Sequence, residues 1–515
     1  MSTPRVVTET LGGGTLSRAV QGGTVPAEWC APPPRRVEAW RAHGTRVRER
    51  FAPGGWYEAL RPAFAASGAA ADRLARVAAA GGIVVTTGQQ PGLFGGPLYT
   101  WLKALSALAL ADRIERDTGI PAAPVFWAAT DDADYAEASW TAVATDLGVR
   151  RLALPAAGRD GLVMAETPLG PVAEVLDELA AAAGSAPHGE ILAQLRAAYA
   201  PGATVGSSYV QFLRAVLEPL GIGVLDAWHP ATVAAARPTL VRALQRAASL
   251  DEAVSLRNVA IERSGYRPQV ARIAKLSLVF RADAGVKARI PLADALRVAG
   301  DESATLSANV LLRPVVEQAI LPTVAYVAGP GELAYFAQVA AVAEALGEPA
   351  PVAVPRWSAS IVDPATDRRL GRLGLVIDDL RDPHGAERRI GDRAIPIALR
   401  TELEALRGEI QQRTQAMVVA NAEADMLIAE RVLEGARQQM LHRLDRLERR
   451  IRAASRAREV EAMAELTAVR AILMPEGHRQ ERRLNLVPLL ARHGETLLAQ
   501  LRAGASMHAG TLVIP

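Results

Sequence analysis

The sequence predicts an α/β protein, a doubly wound parallel sheet with helical insertions, followed by a C-terminal α-helical coiled coil. Three observations carry this. Between residues 81 and 390, short β-branched runs alternate with Ala/Leu-rich stretches of helical period, the order that builds a parallel sheet. The first two runs are joined through a helix, giving a βαβ unit with right-handed crossover. From 396 to 475 the only helix breakers are Gly408 and Gly435, and Arg and Glu dominate.

Taken in order, residues 1–80 form an irregular lead followed by helices over 37–51 and 57–80. Ile83-Val84-Val85-Thr86-Thr87, bounded by Gly81-Gly82 and Gly88, reads as a buried strand. A glycine-rich loop, 88–96, leads to Pro97 as first helical residue and to a buried helix over 98–114. Pro124 to Ala129 is the next strand, ending in Asp131-Asp132-Ala133-Asp134. Further strands are expected at 222–225, 276–280, 323–327 and 351–354, with helices over 174–183, 190–200, 230–248 and 333–346. Residues 141–215 and 227–305 read as insertions into a core spanning 81–390. In the coiled coil, Leu433, Met440, Leu444, Leu447, Ile451 and Ala454 follow a heptad seam, with Arg437 intruding. A preceding helix through Leu399, Leu403, Leu406 and Ile410 pairs back against it. Residues 476–515 return to the core.

At 515 residues the chain exceeds the roughly 250–300 residues that one hydrophobic core serves. The formal net charge of +3 leaves no electrostatic footprint for nucleic acid. The basic residues are nearly all Arg; Lys occurs only at 103, 275 and 287. The single cysteine, Cys30, excludes an internal disulfide and a multi-cysteine zinc site, and no neighbour in sequence would make it a thiolate. The start of the chain has no signal-peptide core, and no apolar run reaches about 18 residues. A cytoplasmic protein without a membrane partner is expected. The eight histidines show no metal spacing.

In an open parallel sheet, ligands bind beyond the carboxyl ends of the strands, and three such ends carry unusual residues. The first is the loop with Gly88, Gln89, Gln90, Gly92, Gly95 and Gly96. It is neither a P-loop nor a dinucleotide fingerprint, but its glycines would let backbone amides approach an anion. Tyr99, Lys103 and Ser106 share one face of the following helix, and Lys103 leans back toward the loop. The second end carries Asp131, Asp132 and Asp134, which suit an ammonium, a ribose hydroxyl or Mg²⁺. Asp131 can also cap a helix, with Asp134 at its third position. The third is Gly329-Pro330-Gly331-Glu332, with Asn309 and the potential anion clamp Arg313 just upstream. Replacing Lys103 or Arg313 by Ala is expected to weaken binding without unfolding.

The stretch 85–100, Val-Thr-Thr-Gly-Gln-Gln-Pro-Gly-Leu-Phe-Gly-Gly-Pro-Leu-Tyr-Thr, with Lys103 after it, closely resembles the hallmark of the bacillithiol cysteine-adding enzymes, the BshC family. Pro124-Val125-Phe126-Trp127, the blocks 306–314, 321–323 and 329–332, Pro355-Arg356 and Gln480-Glu481-Arg482 also match, in the family's order. The resemblance implies a Rossmann-like core with connecting insertions, a coiled coil and a homodimer. It implies a cysteine ligase joining L-cysteine to the amine of glucosaminyl-malate, with ATP and Mg²⁺ expected for carboxyl activation. On this reading Asp132, Asp134 and Lys103 are catalytic. Gly88, Gln89, Gln90, Gly92, Gly95, Gly96, Tyr99, Asp131, Asn309, Arg313, Gly329, Gly331 and Glu332 bind substrate or nucleotide. One departure stands out: where the family usually has an acidic-Asp-His-Asp pattern, Ala133 replaces the imidazole. A nucleotidyl-transfer enzyme on the same core, or a coiled-coil dimer scaffold with a weakened site, are the alternatives.

Overall fold

The computed structural model describes residues 3–145, 148–155, 159–382 and 384–514. Met1 and Ser2 of the expected lead, and residues 146–147 and 156–158 of the expected 141–215 insertion, lie outside the described residues. The strands that position the site are β1 (Ile83–Gln89), β2 (Ala122–Ala128), β3 (Gly223–Asp226), β4 (Leu276–Asp283), β5 (Val286–Pro291), β6 (Thr305–Ala308), β7 (Thr323–Ala328) and β8 (Ala353–Pro355). The helices are α1 (Leu98–Thr118), α2 (Arg313–Ile320) and α3 (Pro330–Leu346).

Five strands form the Rossmann-like sheet in the order β8-β7-β1-β2-β3, every neighbouring pair parallel. Along the chain the sheet grows outward from β1 to β3, then restarts on the other side of β1 with β7. The order therefore reverses between β1 and β7, and helices leaving these two strands diverge there and open a crevice. β1 is a continuous apolar run because both of its faces are covered. Ile83 and Val85 pack with Trp40, Leu110 and Ile114, whereas Val84 packs on the other face with Trp56, Leu74 and Val77. Gly88 sits opposite Trp127 in the β1–β2 register. A Cβ there would stand 2.8 Å from the Trp127 carbonyl oxygen, so glycine is what lets the strands stay together at the crevice.

The segment 276–280 does not join the parallel sheet. It lies within β4, the centre of a separate antiparallel sheet of order β5-β4-β6. The reason is the connection: β4 and β5 are joined by Ala284 and Gly285 alone, both at positive φ (+44° and +75°). Two left-handed residues make a tight hairpin, and only antiparallel strands can be joined so shortly. Two smaller differences are also local. The helix expected over 57–80 is broken into Gly55–Phe64 and Gly68–Ala79 by the left-handed Ala65. Pro97 stays extended as the N-cap of α1 rather than its first residue.

The chain forms two units. The first takes its residues from 1–143, 150–361 and 480–515 and holds the sheets above. The second comprises 144–149 and 362–479 and contains the long helices α4 (Ile397–Glu423) and α5 (Glu430–Arg458). These form a hairpin in which Arg407 bridges Asp445 (2.6 Å) and Glu448 (2.8 Å). Gly408 and Gly435 lie inside the helices. The turn falls instead at Asp425 and Met426, both at positive φ, where the Asn421 side chain donates to the Ile428 carbonyl and accepts its N–H. Of the seam residues, Leu433 and Leu444 are buried while Met440 and Leu447 remain exposed. No helix among the described residues is long and apolar enough to cross a membrane.

Candidate active site

At the reversal between β1 and β7, the first unit contains a cavity of about 520 Å³. Its floor is an ionic network. Lys103, in the second turn of α1, is only 2% exposed. It reaches back toward the carboxyl end of β1, as helical side chains do, and donates to the Gly88 carbonyl and to Gln89 Oε1. Its Nζ pairs with Glu332 Oε2 at 2.7 Å. Glu332, in the first turn of α3, accepts further bonds from Gly329 N–H and Tyr326 Oη, each at 2.6 Å. Arg313 donates to Tyr326 Oη (3.2 Å) and Tyr335 Oη (3.3 Å) and pairs with Glu317 at 2.7 Å.

Burial pulls the Lys103 ammonium below the ordinary lysine range, and Glu332 opposes that pull. For Glu332, burial alone would raise the carboxyl. The Lys103 charge and the donors on either side outweigh it and hold Glu332 below the usual carboxylate range. The floor is therefore a lysine–carboxylate pair whose polar atoms are met by hydrogen bonds on both sides.

The wall at the end of β2 carries the aspartates, in roles other than those the spacing implied. Asp134, not Asp131, caps the short helix Tyr135–Ala138, its side chain accepting from Glu137 N–H. Asp134 does not line the cavity. Asp131 is held by Lys287, whose Nζ lies 2.7 Å from its carbonyl and 3.2 Å from its carboxylate. Asp132 faces the cavity with no ion pair among the described residues. Burial first, and the neighbouring Asp131 second, raise its carboxyl above the usual aspartate range. Ala133 lines the cavity beside it.

The expected site residues thus divide. Gly88, Gln89, Gln90, Tyr99, Lys103, Asp131, Asp132, Asn309, Arg313, Gly329, Gly331 and Glu332 converge on this one cavity. Asn309 also has a structural task, its Oδ1 accepting from Leu311 and Leu312 N–H before α2. Gly92, Gly95 and Gly96 do not line the cavity. Their loop is packed: Phe212 lies 2.9 Å from where a Cβ on Gly95 would stand, and Asn485 Nδ2 takes the Phe94 and Gly96 carbonyls. Those glycines supply backbone geometry, Gly95 and Gly96 at φ +87° and +77°, and the N–H groups of these two are taken by the Gly92 and Leu93 carbonyls. Cys30 also lies outside; burial pushes its thiol to about 11, with Arg257 opposing.

Several cavity residues went unassigned from sequence. Phe280, Lys287 and Arg289 come from the β4–β5 hairpin, and Arg356 and Arg482 from distant stretches. Arg356 is locked by a two-pronged pair with Glu481, at 2.7 and 2.8 Å, both side chains almost wholly buried. Lys287 carried a compositional signal, being one of only three lysines in the chain. As a whole the cavity can hold anions on its open cations and an ammonium on Asp132. Among the described residues, no group of three or more His, Cys, Asp and Glu side chains gathers as a metal site.

Comparison with known proteins agrees with this architecture. The model of the bacillithiol biosynthesis BshC N-terminal Rossmann-like domain matches residues 57–357, and that of the BshC C-terminal coiled-coil domain matches 359–514. A protein of Solibacter usitatus named "Putative cysteine ligase BshC" is 32% identical over 501 residues, covering 92% of each chain. Proteins of the same name from Koribacter versatilis and Salinibacter ruber are 31% and 30% identical; they cover 82% of this chain, and 81% and 80% of their own. With two domain models covering nearly its whole length, this chain belongs to the bacillithiol biosynthesis BshC family.

Proposed function

We propose that this protein is a cysteine ligase of bacillithiol biosynthesis, forming an amide between the carboxyl carbon of L-cysteine and the sugar amine of glucosaminyl-malate. The observation that carries the reading is Asp132, a half-buried carboxylate that accepts from Asp134 N–H, makes no ion pair among the described residues and shares one cavity with open cations at the sheet reversal. An amine is stored as an ammonium at neutral pH and must lose a proton before it can attack. Asp132 first receives the ammonium as a counter-charge and then takes its proton as the C–N bond forms. The bond from the cysteine acyl carbon to its leaving oxygen breaks in the same addition–elimination, and that oxygen departs as water with the two protons the ammonium gives up, one of them passed on by Asp132. The Lys103–Glu332 pair keeps the floor rigid and polar, so substrate charge meets fixed dipoles instead of mobile water.

The glycine loop 92–96, expected to cradle the ATP with Mg²⁺ that the family resemblance implies, does not line this cavity. The loop 92–96 is turned into the protein and its carbonyls are taken by Asn485. Asp131 is engaged by Lys287, and no group of three or more His, Cys, Asp and Glu side chains among the described residues gathers as a magnesium ligand set. No step is drawn through a nucleotide.

The test is to incubate the full chain with L-cysteine and glucosaminyl-malate, with and without ATP, and follow products by mass. Bacillithiol is expected. An adenylated substrate without amide product would favour nucleotidyl transfer. Absence of any turnover by an intact dimer would favour a scaffold.

A further inference from the structure

Lys287 and Arg289 lie two residues apart on β5 and so project from the same face of the hairpin. Both cations stand over the ring of Phe280, at 4.6 and 5.2 Å from its centroid, and both line the cavity. Their situations differ. Lys287 is neutralised by Asp131. The half-buried guanidinium of Arg289 makes no hydrogen bond or ion pair with any described residue, and burial alone pulls it down with no carboxylate opposing. The cavity's other cations contrast with it. Arg313, Arg356 and Lys103 each have a carboxylate, and Arg482 is exposed to water. A guanidinium taken from water without a partner is an unfavourable arrangement that an incoming anion would relieve.

We infer that Arg289, assisted by Lys287, is the specificity-determining anion subsite of this cavity and takes the carboxylates of the acceptor's malyl group. This rests on the ligase reading above and goes beyond it by assigning one end of the acceptor to the β4–β5 hairpin. The geometry is consistent with the acceptor's own layout. Asp131, next to the proposed base Asp132, is tied to Lys287, and Arg289 follows two residues along the strand, roughly 7 Å away. In glucosaminyl-malate the amine and the malyl substituent occupy adjacent sugar carbons. An amine held at Asp132 therefore directs the malyl carboxylates toward Lys287 and Arg289. The planar fork of Arg289 can meet one carboxylate with two parallel hydrogen bonds.

The experiment compares full-length wild type, Arg289→Ala and Arg289→Lys with two acceptors, glucosaminyl-malate and methyl glucosaminide, which keeps the amine and lacks the carboxylates. Arg289→Ala is expected to raise KM for glucosaminyl-malate by roughly 10- to 100-fold, with Arg289→Lys intermediate. KM for methyl glucosaminide and for cysteine should be the same in all three. Free L-malate should raise the melting temperature of wild type and not that of Arg289→Ala. Equal KM values for glucosaminyl-malate in all three would overturn the assignment. So would an equal rise for methyl glucosaminide, which would mean a structural role, or a rise confined to cysteine or ATP, which would give the anion another source. If wild type forms no amide yet malate protection still depends on Arg289, the ligase reading fails and the anion subsite stands. If wild type ligates and Arg289→Ala is indifferent, only the subsite fails.

Discussion

Lys103 Nζ and Glu332 Oε2 stand 2.7 Å apart across the reversal of the parallel sheet, one carried by the helix after β1 and the other by the helix after β7. More than two hundred residues separate them in the chain. Their pairing joins the two halves of the sheet at the floor of the cavity, so site and fold share the same bond.

Replacement of Lys103 by Met should therefore act on stability first. It leaves the Glu332 carboxylate buried without its counter-charge, and breaking a buried pair in this way costs about 3–5 kcal/mol. Adding Glu332→Gln should recover most of the loss, because an uncharged amide can accept from Gly329 N–H with its oxygen and donate to Tyr326 Oη with its nitrogen. Urea unfolding of the single and double variants checks this, and a double variant no more stable than Lys103→Met would refute it. The expectation that Lys103→Ala weakens binding without unfolding is revised on the same ground.

Arg356 and Glu481 form a second buried pair, of two parallel hydrogen bonds. Lysine cannot reproduce a planar fork. Arg356→Lys should lower stability by roughly 1–3 kcal/mol, the scale of one charge-assisted hydrogen bond. A denaturation midpoint equal to wild type would show that charge alone suffices there.

Legibility from sequence followed the range of the interactions. Strands and helices of the parallel core were visible because β-branched runs and helical periods are local patterns. Lys103, Glu332 and Asp132 were visible because strand ends of a parallel sheet converge by topology. The glycines at 92, 95 and 96 do not line the cavity, and a glycine that permits tight packing and one that exposes an amide look identical until Phe212 and Asn485 are in place. Arg356 and Glu481, 125 residues apart, leave no mark in any local window. The β4–β5 hairpin has a local mark in Asp283-Ala284-Gly285, a turn signal, but the strand before it opens as apolar as those of the parallel sheet. Lys287 could have been found from lysine scarcity alone, because two of the three lysines line the cavity.

The hairpin of α4 and α5 leaves Leu399, Leu406, Met440 and Leu447 each about 40% exposed or more. Half-covered apolar positions on a heptad seam are what a second helical pair would bury. We expect a homodimer through this arm. Deleting roughly 398–472 should yield a monomer by sedimentation, and Leu406→Glu with Leu447→Glu should weaken association in the full chain. An unaltered dimer in both would place the interface elsewhere.

Asp132 makes a prediction about pH with two signs that can be worked out separately. Its carboxyl is raised above 3.8 by burial and by Asp131, and as a base it works only when ionised. The acid limb of kcat/KM should accordingly lie above the ordinary aspartate value, with activity lost as pH falls through it. Stability moves the other way. A raised acid favours the folded state below its unfolded pKa, and that contribution is lost as pH rises through the folded value. At neutral pH the ionised Asp132 is therefore a burden on the fold. Asp132→Asn should lower kcat by about 10²- to 10⁴-fold, abolish the acid limb, and raise the unfolding midpoint at pH 7. A variant that keeps the wild-type acid limb would remove Asp132 as the base. One that loses activity and stability together would make it a structural carboxylate, held by Asp134 N–H for packing alone.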